Sequence, residues 1–259
     1  MSVQPIIVSH KRAGQVTTHK FIAGCTVCVP ESQADDYERL HPDLPRLVHP
    51  DSVVGLWAKR QWIKERVGDH MQFDDDGIGI YRIYRSLGGW RKSVMSPDRA
   101  YDLIQRTGER CRAFGAYFFG FAPHAHPMTY DGLKPFRFGG YIAGGNLGFL
   151  EGCKVWWPTD VSFGDGCDQW ACLLNAYYHR YSFSDRRFAF AARQTYIGGG
   201  GLNEFRAGRV EQEQLAVLAY LQEHFGHRVI VRNYDEPDGI ATKYLYNPVR
   251  RRIITPYRV

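Results

Sequence analysis

Apolar and amphipathic stretches alternate along the first third of the chain. Four apolar stretches have the length and composition of β-strands: 5–9, 25–29, 46–48 and 70–73. Three stretches between them have helical character: 15–23, 32–40 and 56–67. Strands that alternate with helices in this way indicate βαβ units, so the pattern predicts an α/β fold with a mostly parallel sheet. Ligands of such sheets bind beyond the carboxyl ends of the strands.

The pattern is less regular in the second half. Strands are predicted where β-branched, aromatic or glycine-rich segments occur: 78–86, 113–121, 139–150 and 227–232. Helices are predicted over three further segments: 98–112, 167–181 and 210–225. Residues 87–98 are predicted to form a loop. Because no repeat or linker interrupts the chain, residues 1–259 are predicted to form a single domain.

Bulk composition narrows the class of protein. The 259 residues suffice for one large α/β domain with a buried core. No stretch approaches the roughly 20 apolar residues that span a bilayer, and the N-terminus lacks the layout of a signal peptide. We therefore expect a soluble cytoplasmic protein with no membrane partner. A net charge of +6 favours an anionic partner, although moderate charge also serves solubility alone.

Two motifs resemble metal sites but have simpler interpretations. Cys25 and Cys28 are spaced as CxxC, yet a structural zinc site needs a second ligand pair, and the sequence has none at matching spacing. Their apolar surroundings predict reduced cysteines that pack in the core. His124 and His126 are separated by one residue and flanked by prolines, which predicts a structural loop.

The most informative feature is the run Asp74-Asp75-Asp76 after the fourth predicted strand. Adjacent carboxylates repel one another, so the run is either a solvated turn or the holder of a cation. Side chains alternate along extended backbone, which directs Asp74 and Asp76 to one side and Asp75 to the other. Two carboxylates placed in this way suit a hard cation such as Mg²⁺ or Mn²⁺, with room left for phosphate oxygens.

Several segments around this run resemble a known family. The segments IIVSHKRA, VPESQADDY, GLWAKRQWI and FDDDG occur in that order, followed by GDGCDQWACL and GGGGLNEFRAG. In this order they resemble nucleotide-sugar glycosyltransferases of the GT-A fold, and in particular the phage TET-associated glycosyltransferase family. The resemblance implies an α/β fold with a GT-A-like Rossmannoid mixed sheet flanked by helices. It also implies a uridine-diphosphate (UDP) sugar as donor and 5-hydroxymethylpyrimidine bases in DNA as acceptor, with glucose as the first expectation for the hexose.

The same resemblance assigns roles to residues around the strand ends. It implies that Asp74 and Asp76 bind a divalent metal, Mn²⁺ or Mg²⁺, which stabilises the charge on the leaving diphosphate. Donor contacts are expected from six residues: Ser9, His10, Arg12, Arg60, Asp74 and Asp75. Lys11 and Lys59 are further cations available to the diphosphate. The alternative is that these basic residues are ordinary surface residues.

A hydroxyl acceptor needs a general base near the anomeric carbon if the reaction inverts configuration. GT-A enzymes usually carry an adjacent acidic pair at the start of a helix. The matching stretch here contains Asp165 and Asp168, which are not adjacent. We expect Asp165 to be the base, with Asp168 as second choice. The alternative is that either residue only caps the helix, which stabilises it by about 1 kcal/mol.

A basic segment is the predicted contact surface for acceptor DNA. Arg82, Arg85, Arg91 and Lys92 interleave with aromatic residues that include Trp90, a mixture suited to phosphates and bases. The alternative is a solvated strand face with packing aromatics. An enzyme that modifies a base must also extrude it from the duplex.

We therefore expect residues 1–85 to bind the nucleotide-sugar and residues 86–259 to bind the acceptor, with no protein partner inferred. Three other functions stay open: a GT-A enzyme with a glycan or protein acceptor, a haloacid-dehalogenase-like phosphatase, and a non-catalytic DNA-binding protein. The phosphatase would use Asp74 as nucleophile, but three strands precede the run, and Ile78 stands where that class needs Thr. A pure DNA-binding protein would be hindered by acidic residues that repel phosphate.

Overall fold

The computed structural model describes residues 2–126, 130–193, 210–232 and 251–253. Five α-helices lie in these ranges: α1 (Ala34–Leu40), α2 (Leu56–Arg66), α3 (Pro97–Ala113), α4 (Cys167–His179) and α5 (Val210–Phe225). Ten strands form one sheet: β1 (Gln4–Val8), β2 (Thr26–Pro30), β3 (Arg46–His49), β4 (His70–Asp74), β5 (Gly77–Ser86), β6 (Gly89–Val94), β7 (Phe118–Ala122), β8 (Phe136–Phe138), β9 (Asn146–Phe149) and β10 (Phe183–Ala192). Two more strands, β11 (Ile230–Arg232) and β12 (Arg251–Ile253), pair with each other. Within the described ranges, no helix combines the length and apolar character needed to cross a membrane.

The strand order determines where a ligand site forms. Across the sheet the order is β3-β2-β1-β4-β9-β7-β10-β5-β6, and β8 pairs with β10. Strands β3, β2, β1 and β4 are parallel to one another, whereas β9 is antiparallel to both β4 and β7. The carboxyl ends of β1, β4 and β7 therefore lie at the same edge of the sheet, where α/β proteins bind ligands.

Helices cover both faces of the sheet. On one face, α1 and α3 pack in a core that includes Tyr37, Leu103, Phe73, Phe121 and Phe183. On the other face, α2, α4 and α5 pack in a core that includes Trp57, Trp170, Leu221, Phe118 and Phe149. We call these the α3 face and the α4 face. Because side chains alternate along a strand, the side chains on either side of Phe73 in β4, Gln72 and Asp74, lie on the α4 face.

The predicted α/β fold with a mixed sheet is confirmed, and the predicted strands of the first half lie close to the observed ones. The expectation of a mostly parallel sheet is wrong for the second half, where antiparallel pairs prevail. The helix predicted over 15–23 is also wrong, because two single 3-10 turns, Ala13–Gln15 and Thr18–Lys20, occur there. The N–H groups of Thr17 and Thr18 donate to the carbonyl of Asp75 at 2.8 and 3.3 Å, so tertiary hydrogen bonds replace helical ones.

Several strands of the second half differ from the prediction. The predicted loop 87–98 contains β6, and only Asn146–Phe149 of the predicted strand 139–150 is extended. Strand β10 was not predicted, because charged residues interrupt its apolar pattern. Its Asp185 is fully buried and is paired with Arg110 and Arg187, so ion pairs make a central strand out of a sequence that resembles a surface segment.

Strand β10 changes partners along its length. Its first part, Phe183–Asp185, lies between β7 and β8, and its second part pairs with β5. Against β7, Asp185 lies opposite Phe121, whereas Ala189 lies opposite Ala122, so the residues between them form a bulge. Bulges of this kind redirect side chains and often lie next to active sites.

Substitution of Gly120 by alanine should destabilise the protein. A Cβ at Gly120, in the middle of β7, would meet the side chain of Ile142 and lie 2.8 Å from the backbone oxygen of Asn146. Overpacking at such a site costs about 1–3 kcal/mol, which urea unfolding would measure. The control is Gly68→Ala, where a Cβ meets no atom within 4 Å. Equal stability of the two variants would contradict the close packing of β7 on the 139–146 segment.

Candidate active site

The acidic run forms a turn at the carboxyl end of β4. Strand β4 pairs with β1 so that Asp74 lies opposite Val8, and Asp75 and Asp76 connect β4 to β5. The predicted alternation of the three side chains is therefore wrong beyond Asp74, because the extended backbone ends there. Thr18 bridges the two ends of the turn: its hydroxyl donates to the Asp74 carbonyl at 2.6 Å and accepts the N–H of Gly77 at 2.8 Å.

The loop after β1 is bonded directly to this turn. Asp75 accepts a hydrogen bond from the Ser9 hydroxyl at 2.5 Å and forms an ion pair with Arg12 at 2.9 Å. The same guanidinium lies 3.6 Å from Asp76. Tyr37 completes the network, because its hydroxyl lies 2.7 Å from that of Ser9 and accepts the backbone N–H of Arg12 at 3.2 Å. Two segments that are distant in sequence thus form one polar network at the sheet edge.

Helix α2 supplies a buried guanidinium on the α4 face. Arg60 is only 1% exposed and donates to the Gln72 side chain at 3.1 Å and to the Gly144 carbonyl at 2.8 Å. Its other contact is an ion pair of 3.4 Å with Asp74. Arg60 therefore links α2, β4 and the glycine-rich segment, with Asp74 as its only ion-pair partner within the described part of the chain.

The backbone after β1 is also fixed. The buried ammonium of Lys59 donates to the Ser9 carbonyl at 2.6 Å, and burial lowers the pKa of Lys59 to about 8. Lys11 has a positive φ of 53°, in the left-handed region that costs a side-chain-bearing residue energy. Gln33 holds this conformation by accepting the Lys11 N–H at 2.7 Å and by contacting the His10 ring at 3.3 Å. Strain that surrounding contacts maintain in this way is typical of functional loops.

The three carboxylates differ in accessibility. The side chain of Asp74 is 41% exposed, against 5% for Asp75 and 9% for Asp76. Burial raises the pKa of Asp75 to about 6 and also raises the pKa of Asp74 and of Asp76. The attraction of Arg60 at Asp74, and of Arg12 at Asp75 and Asp76, opposes these effects without cancelling them. Asp74 is therefore the carboxylate that a ligand reaches first.

The two predicted base candidates flank the start of α4. The N-cap of this helix is Gly166, with φ 78° and no side-chain cap, so neither Asp165 nor Asp168 is the cap that the alternative required. Asp165 accepts the N–H of Gly166 at 2.8 Å. Asp168 lies in the first turn, where a negative charge interacts favourably with the helix dipole.

A glycine pair connects Asp168 to the acidic turn. The Asp168 carboxylate accepts hydrogen bonds from the Tyr141 hydroxyl and from the N–H of Gly144 at 3.1 Å. The next residue, Gly145, packs on Asp74, since a Cβ there would lie 3.1 Å from the Asp74 carboxylate. The candidate base and the candidate metal ligand are therefore separated only by backbone that carries no side chain.

The predicted acceptor residues lie on a hairpin with two faces. Ile83 of β5 is buried against Ala122 and lies opposite Lys92 of β6. Alternation along both strands divides the predicted set: Arg85 and Lys92 project on the α4 face, and Arg82 and Arg91 on the α3 face. Trp90 pairs with Arg85 through its backbone, but its side chain lies outside what the structure describes. These residues therefore do not form one continuous surface.

Three side chains that hold the site together were not predicted. Tyr37 is a lone aromatic in an otherwise polar helix, which is a detectable indication of a buried contact. Tyr141 lies in the glycine-rich segment, where close backbone contacts were predicted without their partners. For Thr18 the sequence offers no indication, because its partner Asp74 is 56 positions away.

The cysteine pair and the acidic turn are two places where the sequence raises the question of a metal site. All six cysteines are free and buried, as predicted for Cys25 and Cys28. Across the described ranges, no group of three or more His, Cys, Asp or Glu side chains is arranged to hold a metal ion. At the acidic turn, Arg12 already engages two of the three carboxylates.

A large mixed sheet with flanking helices and an acidic turn at the strand ends is consistent with a glycosyltransferase. Comparison with protein-family models then identifies which one: the TET-associated glycosyltransferase model matches residues 4–195, and the chain belongs to this family. The matched span contains every residue predicted above for the site. Comparison with curated proteins finds no match. The protein is thus a glycosyltransferase enzyme, and the phosphatase and purely DNA-binding alternatives are set aside.

The raised pKa of Asp75 predicts a pH-dependent stability. Its folded-state pKa of about 6 lies above the usual 3.8, so the folded protein takes up a proton between these values that the unfolded chain releases. The free energy of unfolding should therefore fall as pH rises from 4 to 6, by about 1–3 kcal/mol. Urea unfolding of the wild type and of Asp75→Asn across this range measures the effect. Parallel pH profiles for the two proteins would contradict it.

Proposed function

We propose that the protein is a metal-dependent hexosyltransferase that moves a hexose, with glucose as the first candidate, from a UDP-sugar to 5-hydroxymethylpyrimidine bases in DNA. The observation that carries the proposal is the meeting of the acidic turn with Arg12 and Arg60 at one edge of the sheet. Carboxylates beside guanidinium groups can hold both a metal ion and the diphosphate that it binds. Family membership supports the reaction class, and the family's association with TET favours modified DNA as the acceptor.

The donor is proposed to bind where β1 and β4 end. Residues 1–85 supply the contacts, with Ser9, His10 and Arg12 from the loop after β1 and Arg60 from α2. Asp75 is proposed to orient this loop and to contact a ribose or sugar hydroxyl. Support comes from the short hydrogen bonds that connect Ser9, Arg12 and Asp75 into one preorganised unit.

The carboxylate oxygens of the acidic turn are suitable ligands for a hard divalent cation, Mn²⁺ or Mg²⁺. Carboxylate oxygens are the protein ligands that these ions prefer, and the side chain of Asp74 is open to solvent. Asp76 is the proposed second ligand, since its 3.6 Å contact with Arg12 is longer than the 2.9 Å contact of Asp75. When bound there, the ion would supply Lewis-acid stabilisation of the leaving diphosphate.

Proton removal from the acceptor hydroxyl is proposed for Asp168, with Asp165 as the alternative. Asp168 is connected to Gly144, and Gly145 packs on Asp74, so Asp168 lies close to the end of β4. The hydroxyl of Tyr141 orients its carboxylate. A base must first be within reach of the proton that it abstracts. The position of Asp168 therefore makes it the first candidate here, although the sequence placed Asp165 first.

Acceptor binding is proposed for residues 86–259, together with the hairpin residues Arg85 and Lys92. The net charge of +6 suits a polyanion. The target nucleotide is proposed to leave the stack, because enzymes that modify a base extrude it from the duplex to reach the reacting atom.

Replacement of Asp74 by asparagine should abolish metal-dependent transfer while the fold stays intact. Asparagine keeps the size and the hydrogen bond to Arg60 but removes the charge, so the rate of UDP release should fall by at least about a hundredfold. The assay contains UDP-glucose, Mn²⁺ and hydroxymethylated DNA, and detects free UDP and the mass of the modified base.

The matched control is Asp36→Asn, an exposed carboxylate on α1 that pairs with Arg39. Wild-type activity in Asp74→Asn would remove the metal assignment. Equal transfer to DNA without hydroxymethyl groups would contradict the hydroxymethylated base as the acceptor group. Release of UDP with no change in the DNA would instead point to a glycan or protein acceptor.

Replacement of Asp168 by asparagine should leave donor binding intact and reduce kcat. Loss of a general base lowers rates by about 10²- to 10⁴-fold, whereas the KM for the UDP-sugar should change little. Asp165→Asn, compared in the same assay, should retain most of the activity. The reverse ranking of the two variants would transfer the base assignment to Asp165.

A further inference from the structure

The bulge in β10 carries two arginines that lie on opposite faces of the sheet. On the α3 face, the buried Asp185 pairs with Arg187 at 2.7 Å and with Arg110 of α3 at 3.4 Å. The Arg187 guanidinium also lies 4.7 Å from the centre of the Phe136 ring. Arg187 is thus a structural residue, and its charge is compensated by a buried carboxylate.

Arg186 lies on the other face, next to Arg137. In the β8–β10 pair, Arg137 lies opposite Ser184, and Arg186 follows two residues later, with its backbone N–H donated to the Pro135 carbonyl at 2.8 Å. Ser184 is also opposite Gly120, which belongs to the α4 face. Alternation therefore places Arg137 and Arg186 diagonally on that face. Their proximity is visible in the pKa of Arg186, which burial lowers first and the charge of Arg137 lowers further.

The same cluster includes a histidine at the carboxyl end of β7. His124 follows β7 by two residues, and its pKa is lowered by burial and then by Arg186 and His126. We call Arg137, Arg186 and His124 the basic cluster. The two guanidinium charges of the cluster destabilise each other, and an anion between them relieves that repulsion.

The basic cluster is continuous with the candidate active site. A Cβ at Gly140, which has φ 82°, would lie 2.7 Å from the Arg137 guanidinium, so Arg137 packs on the Gly140 backbone. The next residue, Tyr141, donates to Asp168. The path from the acidic turn through Asp168 to Arg137 therefore runs along one face of the sheet, with negative charge at one end and positive charge at the other.

We infer that the basic cluster binds a backbone phosphate of the nucleic-acid acceptor and so positions the target nucleotide beside Asp168. This rests on the proposed function, in which the acceptor is DNA. Guanidinium groups bind phosphate oxygens through charge-assisted and often bidentate hydrogen bonds. The acidic turn at the far end repels an unneutralised phosphate, so the backbone is held at the cluster while the base extends toward the reaction centre.

The test compares Arg137→Gln, Arg186→Gln and the double variant with wild type. Fluorescence anisotropy measures the Kd for a hydroxymethylated oligonucleotide between 50 and 200 mM salt. Each phosphate contact contributes about one unit to the slope of log K against log salt. The double variant should bind at least about tenfold more weakly and lose between one and two units of slope. The donor KM and the donor hydrolysis rate without DNA should stay at wild-type values.

Two matched variants control for two other causes of weaker DNA binding, a loss of fold and a loss of overall positive charge. Arg137→Lys keeps the charge and should keep the salt slope, whereas Arg39→Gln removes an exposed arginine of α1 and should leave DNA binding unchanged. Unchanged DNA affinity in the double variant overturns the inference. A raised donor KM overturns it too, because the cluster would then bind the donor diphosphate. Wild-type protein that hydrolyses the donor but binds no DNA removes the proposed acceptor, and the inference with it.

Discussion

The pairing of β1 with β4 is the constraint on which the site depends. Because Val8 lies opposite Asp74, the loop after β1 and the acidic turn leave the sheet side by side. Three adjacent carboxylates would be unstable there without compensation. Arg12 from one side and Arg60 from the other supply it, and Tyr37 and Ser9 fix the loop that carries Arg12. Fold and chemistry thus share one edge of one sheet.

The sequence predicts the first half of the fold well because its strands are apolar, short and separated by polar helices. Prediction fails where tertiary contacts replace local ones. Thr17 and Thr18 bond to a carbonyl nearly sixty positions away instead of forming a helix, and β10 becomes a central strand only because Arg110 and Arg187 pair with Asp185. Neither the Asp75 carbonyl nor Arg110 can be read from the local pattern of hydrophobic and polar positions, because both are distant in sequence from the groups that they bind.

The site was predictable to the level of residue type but not of geometry. The family motifs identify Ser9, Arg12 and the acidic run, and the structure brings these residues within hydrogen-bonding distance. Strand alternation was a poor guide to Asp75 and Asp76, since it applies only while the backbone stays extended. The connection from Asp168 to Asp74 through Gly144 and Gly145 depends on a loop conformation that composition alone does not specify.

Arg12 already acts as the internal counter-ion of two carboxylates. Under the proposed function, a divalent ion at either of them would have to compete with this guanidinium. Without such an ion, the two buried carboxylates are not left as uncompensated charges, because the guanidinium already pairs with them. The turn is therefore stable by itself, and binding of an ion there would be weaker than at carboxylates that have no internal counter-ion.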